Sequence, residues 1–353
     1  TRIFYRNRFF HYPLKPVNAV TNLGPVRAVA CVASYAAERI RPTPEDGTFE
    51  NWVIGRFGRQ LYEIFFKTYS EKLWGISCRE LDADFAAQRI KGLSLFEAAK
   101  NAILDGRGNR HKTLVDQFAY PLGGTGSVYR SMRERIEALG GSVRLEEPVK
   151  RVILEDGRAR GIELVSGEVV RSSQVISSMP LTLLVRGLEP FPEAAKRAAQ
   201  ALRFRNTIVV YLHIDRSDVF PDQWIYVHSD ELRVGRITNF RNWVPELCRG
   251  KPSTIVAMEY WCYDDDAIWK EAEQTLIDRA SREIEATGLA KGARILEGHV
   301  VRVPRCYPVY ARGYQKLLDP VIAALREIQG LQVIGRYGAF KYNNQDHSIL
   351  MGI

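Results

Sequence analysis

Hydrophobic and polar residues alternate in different ways along the chain, and each pattern predicts a different kind of element. Short apolar runs at residues 2–5 and 8–12 flank a polar turn, which predicts two paired strands. Apolar residues then recur mostly at helical spacing, so we expect a mainly helical block over residues 17–115. The first third of the chain therefore predicts a hairpin followed by helices.

A glycine-rich loop at residues 119–126 marks a change of pattern. It precedes an amphipathic stretch that predicts a helix over residues 127–139, which Gly140 and Gly141 end. A hairpin-turn signal follows at residues 155–157. Short strands are expected around it, at residues 142–145, 149–154, 160–164 and 174–178.

Beyond residue 204 the chain is dominated by longer strand patterns, which one helical pattern at 265–287 interrupts. The tail predicts a helix over residues 315–328, a strand over 331–334 and a further helix from about Gln345. We expect an α+β block with an antiparallel sheet. Its strands are predicted at residues 206–214, 223–227, 234–239, 253–261 and 294–303.

The composition is that of a globular protein, with 46% hydrophobic and 26% charged residues. The absence of an 18-residue apolar run or a signal sequence predicts a cytoplasmic protein without a membrane span. The formal charge of +9 indicates either an ordinary basic surface or a site for anions such as phosphates. No zinc-finger or RNP-type motif is present, so we expect no nucleic-acid partner.

The cysteines and histidines predict neither disulfides nor a metal site. The five cysteines are odd in number and widely spaced, and the chain contains no CxxC, HxxH or HExxH pair. We therefore expect reduced thiols and no bound metal.

The segment from residue 331 to residue 348 is the first candidate for chemistry. An apolar strand runs into Gly335, a polar loop and a helix start. Glycine lets the backbone approach a cofactor closely, and a helix N-terminus stabilises negative charge, such as that of a reduced flavin ring. An ordinary strand–turn–helix capped by Asn344 or Asp346 explains the pattern equally well.

Together with the unit from Tyr120 to Val149, this segment resembles the FAD-binding architecture of amine oxidases, protoporphyrinogen oxidases and UDP-galactopyranose mutases. The resemblance implies FAD as the cofactor, with the strand at Val149 under the adenine and the C-terminal loop around the flavin. The residues that it assigns to cofactor binding are Val149, Gly335, Arg336, Gly338, Asn344, Gln345, Asp346, His347 and Ser348.

Within this superfamily the motifs are most similar to those of UDP-galactopyranose mutases, especially the eukaryotic type. Residues 66–74 resemble the stretch FxxPYNxKxW, although Ser70 replaces the family's asparagine, and Arg89 follows Trp74 by fifteen residues. Arg236 follows Tyr226 by ten. The substrate-binding residues implied are Arg89, Arg236, Tyr226, Trp224, Tyr307, Tyr342 and Trp74, and no catalytic residue is visible.

Arginine forks bind pyrophosphate oxygens in pairs, and tyrosine hydroxyls add neutral donors. We therefore expect Arg89 and Arg236 to converge from opposite sides on one cavity, which Tyr226, Tyr307 and Tyr342 also line.

The fold implied is α/β (α+β): a glutathione-reductase-like FAD-binding domain, an antiparallel-sheet substrate domain and a helical subdomain. No GxGxxG fingerprint occurs, so we expect the FAD-binding domain to be incomplete and the chain to be cut at both ends. The expected divisions are 1–16, 116–190 and 315–353 for FAD binding, 17–115 for the helical subdomain and 191–314 for the substrate sheet.

Three functions stay open at this point. The first is a mutase-like isomerase, in which N5 of reduced flavin attacks a nucleotide sugar. The second is an FAD-dependent oxidoreductase of the amine oxidase or protoporphyrinogen oxidase type, acting on another small molecule. The third is a flavin-fold binding protein without catalysis. The sequence also leaves open whether the protein forms a homo-oligomer.

Overall fold

The structure is a computed structural model that describes residues 1–12, 14–84 and 119–353. These residues divide into two units. Unit 1 comprises Thr1–Ser131 and Thr207–Val303, and unit 2 comprises Met132–Asn206 and Pro304–Ile353. Arg89 and the helical pattern predicted around it lie outside the described residues.

The described strands follow the predicted pattern closely. They are β1 (Arg2–Tyr5), β2 (Arg8–His11), β3 (Val149–Glu155), β4 (Arg158–Leu164), β5 (Val169–Arg171), β6 (Val175–Ser177), β7 (Phe204–Ile214), β8 (Trp224–Val227), β9 (Arg236–Asn239), β10 (Thr254–Cys262), β11 (Ile295–Pro308) and β12 (Leu331–Val333). The strand expected at residues 142–145 does not form, and those residues are irregular and mostly exposed.

The described α-helices include those predicted near residues 20–40, 58–68, 127–139, 265–287, 315–328 and from Gln345, together with helices at residues 181–186, 193–201 and 335–338 that the sequence did not predict. They are α1 (Pro16–Leu23), α2 (Pro25–Ile40), α3 (Phe49–Phe57), α4 (Arg59–Tyr62), α5 (Thr68–Trp74), α6 (Thr125–Ala138), α7 (Leu181–Arg186), α8 (Glu193–Ala201), α9 (Glu273–Ala286), α10 (Tyr314–Arg326), α11 (Gly335–Gly338) and α12 (Gln345–Leu350). A π-helical segment, Glu63–Lys67, joins α4 to α5. None of these helices is both long and apolar enough to span a bilayer.

A seven-stranded sheet dominates unit 1, with the strand order β11-β7-β10-β9-β8-β1-β2. The order corrects one expectation, because residues 1–16 were assigned to the FAD-binding domain. In the structure β1 runs parallel to β8, with Ile3 opposite Tyr226, so the N-terminal hairpin extends this sheet. The hairpin motif was visible in the sequence, whereas its partner strand more than 200 residues away was not.

The two faces of this sheet differ because successive side chains in a strand point to opposite sides. One face is apolar and buried, and α9 contributes Leu276, Ala280 and Ile284 to its core. Strands β8 and β9 both alternate between half-exposed and fully buried residues. Their half-exposed positions therefore share the opposite face of the sheet.

Unit 2 contains two smaller sheets. Strands β3, β4 and β5 form an antiparallel meander, and β6 runs parallel to β12. Parallel strands end at the same edge, so the loops that follow Ser177 and Val333 emerge side by side. Ligands of α/β proteins bind at such carboxyl ends.

Candidate functional site

Three predicted substrate-binding residues share the half-exposed face of unit 1. Tyr226 on β8 lies opposite Arg236 on β9, and Trp224 lies opposite Thr238. Because positions two apart point the same way, Trp224 and Tyr226 project together with Arg236. The structure thus brings these three residues onto one surface, which we call the aromatic face.

Further rings extend the aromatic face on the side of Trp224. Its indole stacks on Trp243, with ring centroids 5.2 Å apart and planes 12° apart. The ring of Tyr120 contacts Trp243 in turn, at 5.0 Å. Tyr120 was predicted only as part of a glycine loop, and nothing in the sequence indicated that Trp243 would lie beside Trp224.

Tyr69 of α5 covers the other side of the aromatic face. Its ring stacks on His228 at 4.9 Å and meets Tyr226 and Trp261 edge-on at 5.3 and 5.6 Å. Tyr12 also meets Tyr226 edge-on, at 5.2 Å. Edge-to-face pairs at these distances are favourable, so the rings hold one another in place. The sequence analysis assigned no site role to Tyr12, Tyr69 or Trp261, although Tyr69 stood within a quoted motif.

The guanidinium of Arg236 is engaged by a carboxylate. Its Nε and Nη2 donate to the two carboxylate oxygens of Glu259 at 2.7 and 2.6 Å. The two residues face each other across β9 and β10, with side chains 32% and 11% exposed. Glu259 therefore neutralises the positive charge of Arg236, which the sequence analysis predicted to bind a pyrophosphate. The partner was missed because it depends on strand register.

A half-buried lysine fixes α5 against the loop that joins β8 to β9. Lys72 Nζ donates to the carbonyl oxygens of Val227, Ser229 and Val234, at 3.3, 2.5 and 3.3 Å. Burial lowers the pKa of Lys72 to about 8. The lysine therefore positions Tyr69, which lies three residues earlier on α5, over the aromatic face.

His228 is held as a neutral ring beneath Tyr69. Complete burial, with a smaller contribution from the charge of Lys72, lowers the pKa of His228 to about 3. Its Nδ1 is buried and has no hydrogen-bond partner among the described residues. At neutral pH His228 therefore carries no proton charge, and it contributes a stacking surface.

Trp74 does not line the aromatic face. Its side chain is only 1% exposed, and its carbonyl accepts a hydrogen bond from the hydroxyl of Tyr263 at 2.8 Å. The described fold places Trp74 in the core, and its substrate-binding role stays a prediction. The motif around it is helical, and apolar spacing alone does not distinguish a core ring from a ligand-facing ring.

Unit 2 holds most of the predicted cofactor residues on the loops after β6 and β12. Gly335 has a left-handed backbone, with φ of 75°. A side chain at Gly338 would meet the carbonyl oxygen of Ser177 at 2.7 Å, so glycine is required where the loops approach. The Ser177 hydroxyl is buried and has no hydrogen-bond partner among the described residues. Ser177 was not predicted as a site residue; its place near the end of the strand predicted at residues 174–178 was the available signal.

Arg336 lies between two predicted substrate-binding tyrosines. The Tyr307 and Tyr342 rings stack at 5.6 Å, and the guanidinium carbon of Arg336 lies 5.2 and 4.9 Å from their centroids. Arg336 Nε also donates to the carbonyl oxygen of Asn343 at 2.8 Å. Its partners here are neutral groups, so its positive charge is retained.

The start of α12 follows the simpler of the two interpretations of the sequence. The Asn344 side chain accepts from the N3 backbone, and the His347 ring closes the capping box. Asn344, Gln345, Asp346 and His347 are exposed, and Ser348 is half-buried. The capping role of Asn344 is confirmed, and contact of these residues with a cofactor stays a prediction.

Two other predicted positions complete the description. Val149 begins β3 next to an irregularity in its pairing with β4, and it shares unit 2 with Gly335. Arg89 lies outside the described residues, so the expected convergence of Arg89 and Arg236 on one cavity stays a prediction.

Comparison with known families gives the cofactor. A model of flavin-containing amine oxidoreductases matches residues 29–310, which is most of the chain. The chain belongs to this family, and its cofactor is FAD. The resemblance to the FAD amine oxidase superfamily that the sequence motifs indicated is thereby confirmed.

Solved structures show the same fold at low sequence identity. A reduced UDP-galactopyranose mutase matches 99% of this chain and 74% of its own, with a TM-score of 0.85 and 21% identity. A candidate protoporphyrinogen oxidase from Exiguobacterium sp. 255-15 matches 90% of this chain and 68% of its own, with a TM-score of 0.65 and 16% identity. A putrescine oxidase double mutant matches 96% and 74%, with a TM-score of 0.58 and 14% identity.

One curated relative is similar over a short segment. Phytoene desaturase (neurosporene-forming) of Cereibacter sphaeroides is 39% identical over 59 residues, which is 17% of this chain. The match spans about a tenth of the desaturase, 11% of its length. This short match does not separate an isomerase from an oxidoreductase.

The residues of unit 2 fit a bound FAD. The buried Ser177 hydroxyl is a polar atom that a ligand group can satisfy, and Gly335 leaves the adjoining backbone open. Arg336 supplies a positive charge without a carboxylate partner among the residues the structure describes. A dinucleotide with an anionic pyrophosphate and a polar flavin edge matches this set of donors.

Proposed function

We propose that the protein isomerises a nucleotide sugar with FAD as its cofactor, in the manner of UDP-galactopyranose mutases. The observation that carries the proposal is the register of β8 and β9, which aligns Trp224, Tyr226 and Arg236 on one half-exposed face. A flat aromatic surface beside an arginine and a phenol suits a ligand that combines a planar base with a diphosphate. The fold similarity to a reduced mutase supports this choice.

The aromatic face and the Arg236–Glu259 pair have separate roles in this proposal. Trp224 offers an indole surface for the base, and the Tyr226 hydroxyl donates to a diphosphate oxygen without a buried charge. When a diphosphate arrives, Arg236 can exchange the Glu259 carboxylate for phosphate oxygens of the same geometry. Glu259 therefore sets how tightly the leaving diphosphate is held.

Bound FAD, when reduced, supplies a nucleophilic ring nitrogen for the anomeric carbon of the sugar. The residues of unit 1 hold the nucleotide diphosphate as it leaves that carbon and keep it for the return step. Tyr69, fixed from behind by Lys72, excludes water from Tyr226. His228 is neutral at physiological pH and takes no part in proton transfer.

A second function has a specific observation in its favour. Because Glu259 pairs with Arg236, the charge that Arg236 brings to the aromatic face is neutralised, and the face is rich in rings. Edge-to-face rings from Tyr69, Tyr226 and Trp261 suit an amine or an apolar substrate. The alternative proposal is accordingly an FAD-dependent oxidoreductase of the amine oxidase or protoporphyrinogen oxidase type.

Titration of uridine diphosphate into the reduced holoenzyme separates the two proposals. We expect the wild type to bind, and we expect Glu259→Gln to bind about tenfold more tightly because Arg236 is released. The matched control is Glu297→Gln, which removes a carboxylate whose side chain is 77% exposed. No binding to the wild type, together with oxygen-coupled turnover of an amine or a porphyrinogen, would overturn the isomerase and support the oxidoreductase.

A further inference from the structure

Three arginines surround a small cavity at the tip of the N-terminal hairpin. Arg6, Arg8 and Arg27 line a cavity of about 230 Å³ together with Tyr5, Asn22 and Gly24. Arg6 and Arg8 come from the hairpin, and Arg27 comes from the first turn of α2. Residues of two separate elements thus place three arginines around one space.

The three arginines have no described carboxylate partner at the hairpin tip, although the guanidinium carbon of Arg6 lies 5.4 Å from the centroid of the Tyr5 ring. Among the described residues, none of the three forms an ion pair within 4 Å, whereas Arg2 on the same hairpin binds Asp222 at 2.6 Å. No carboxylate lines the cavity. The pKa of Asp230 is lowered mainly by a backbone hydrogen bond, and the charge of Arg6 contributes a smaller part. The cluster therefore keeps most of its positive charge.

The backbone at the tip of the hairpin adds a second indication. Arg6 and Asn7 form a two-residue turn in which both have left-handed backbones, with φ of 48° and 58°. Such turns favour asparagine and glycine, and an arginine there is unusual. Arg27 is also unfavourably placed, because the first turn of a helix repels cations. An anion bound near Arg27 would offset the unfavourable electrostatics of an arginine in the first turn of a helix.

The cluster is separate from the aromatic face. Arg8 precedes Tyr12 by four residues along extended chain, a distance of about 13 Å. Tyr12 contacts Tyr226, whereas Arg8 lies at the opposite end of β2. An anion at the hairpin tip therefore does not occupy the surface proposed for the nucleotide sugar.

We propose that Arg6, Arg8 and Arg27 form a binding site for a phosphate group. Arginine forks match phosphate oxygens geometrically, and the cavity has room for a phosphate with part of the group that carries it. The +9 charge of the chain raises the local concentration of such anions. The phosphate belongs either to a free small molecule or to a lipid headgroup, and both present the same oxygens.

The experiment measures orthophosphate binding to the full-length holoenzyme by equilibrium dialysis at constant ionic strength. We expect Arg6→Gln/Arg8→Gln to bind at least about tenfold more weakly than the wild type, because two charge-assisted contacts are lost. Arg41→Gln is the matched control, since it removes an exposed arginine at the other end of α2 and should leave binding unchanged.

A second arm identifies the source of the phosphate. Phosphatidylcholine vesicles with and without phosphatidic acid are sedimented with the same variants. Sedimentation that needs phosphatidic acid and is lost in the double variant assigns the site to a headgroup; binding of orthophosphate alone assigns it to a free ligand. Equal binding by all variants in both arms, or no binding in either, would overturn the proposal. Flavin-dependent turnover should be unchanged in every variant.

Discussion

Arg236 and Arg336 show two ways of holding an arginine in one protein. In unit 1, Arg236 faces a carboxylate that cancels its charge. In unit 2, Arg336 is held by a carbonyl oxygen and two tyrosine rings, which fix the guanidinium and leave its charge in place. A ligand must displace the Glu259 carboxylate before it can bind Arg236. The charge of Arg336 can be bound without displacing a carboxylate. This difference shows that a sequence motif predicts where an arginine lies in the fold. The residues that contact the arginine determine whether its charge is available to a ligand.

The largest expected effect comes from breaking the neutralised pair. Arg236→Ala leaves the Glu259 carboxylate, 11% exposed, without its partner, so we expect the free energy of unfolding to fall by about 3–5 kcal/mol. Urea unfolding of the holoenzyme measures this. Arg236→Met/Glu259→Leu should recover most of the loss, and Arg56→Ala, at a more exposed and looser pair, should cost less than about 1 kcal/mol. An equally small cost at Arg236 would show that the pair is not buried.

Lys72 tests whether a charged ammonium held by carbonyl oxygens lowers the stability of the folded protein. Its pKa in the folded protein is about 8, below its ordinary value of 10.5, so the unfolded chain binds more protons between these values. The free energy of unfolding should therefore rise by roughly 3 kcal/mol between pH 8 and pH 10.5. Well below pH 8, Lys72 is protonated in both the folded and the unfolded chain, so its titration should not make stability depend on pH. Unfolding measured from pH 7 to 10.5 should show this rise in the wild type and not in Lys72→Met. Parallel curves for the two proteins would contradict the prediction.

The smallest effect concerns the charge that Arg336 presents. Arg336→Gln should weaken FAD binding by about 1.5–3 kcal/mol, or tenfold and more, because a charged donor is lost. Stability should change little, since no buried carboxylate is stranded. Reconstitution of apoenzyme with FAD, followed by flavin fluorescence, measures the affinity. Tyr342→Phe keeps the ring beside Arg336 and should retain FAD. A large loss of stability without a change in FAD affinity would make Arg336 structural, like Arg236.

Elements with a strong local pattern could be predicted from the sequence. Strand patterns of apolar and polar residues predicted β8 and β9. A polar turn between two apolar runs predicted the hairpin of β1 and β2. The pairing of distant segments was not predicted correctly, since β1 pairs with β8 and not with the FAD-binding part. Two strands about 220 residues apart in sequence have no local pattern that indicates their pairing.

The same limit applies to the aromatic face. The resemblance to mutase motifs identified Trp224, Tyr226 and Arg236, and the strand register then places them on one face. Glu259 and Trp243 reach these residues only through the folded sheet and its connecting loops. Trp74 shows the converse, because a motif residue of the right type turned out to be buried in the core.

The contact between Gly235 and Trp261 has a consequence for how this family can diverge. The indole lies so close over Gly235 that an added Cβ would stand 1.9 Å from a ring carbon. The two positions therefore cannot drift independently: a side chain at 235 demands a smaller ring at 261, and that change would remove the edge that Tyr69 rests against. Among homologues, glycine at 235 and tryptophan at 261 should be inherited as a linked pair, and lineages that have abandoned both should differ in the ligand they accept.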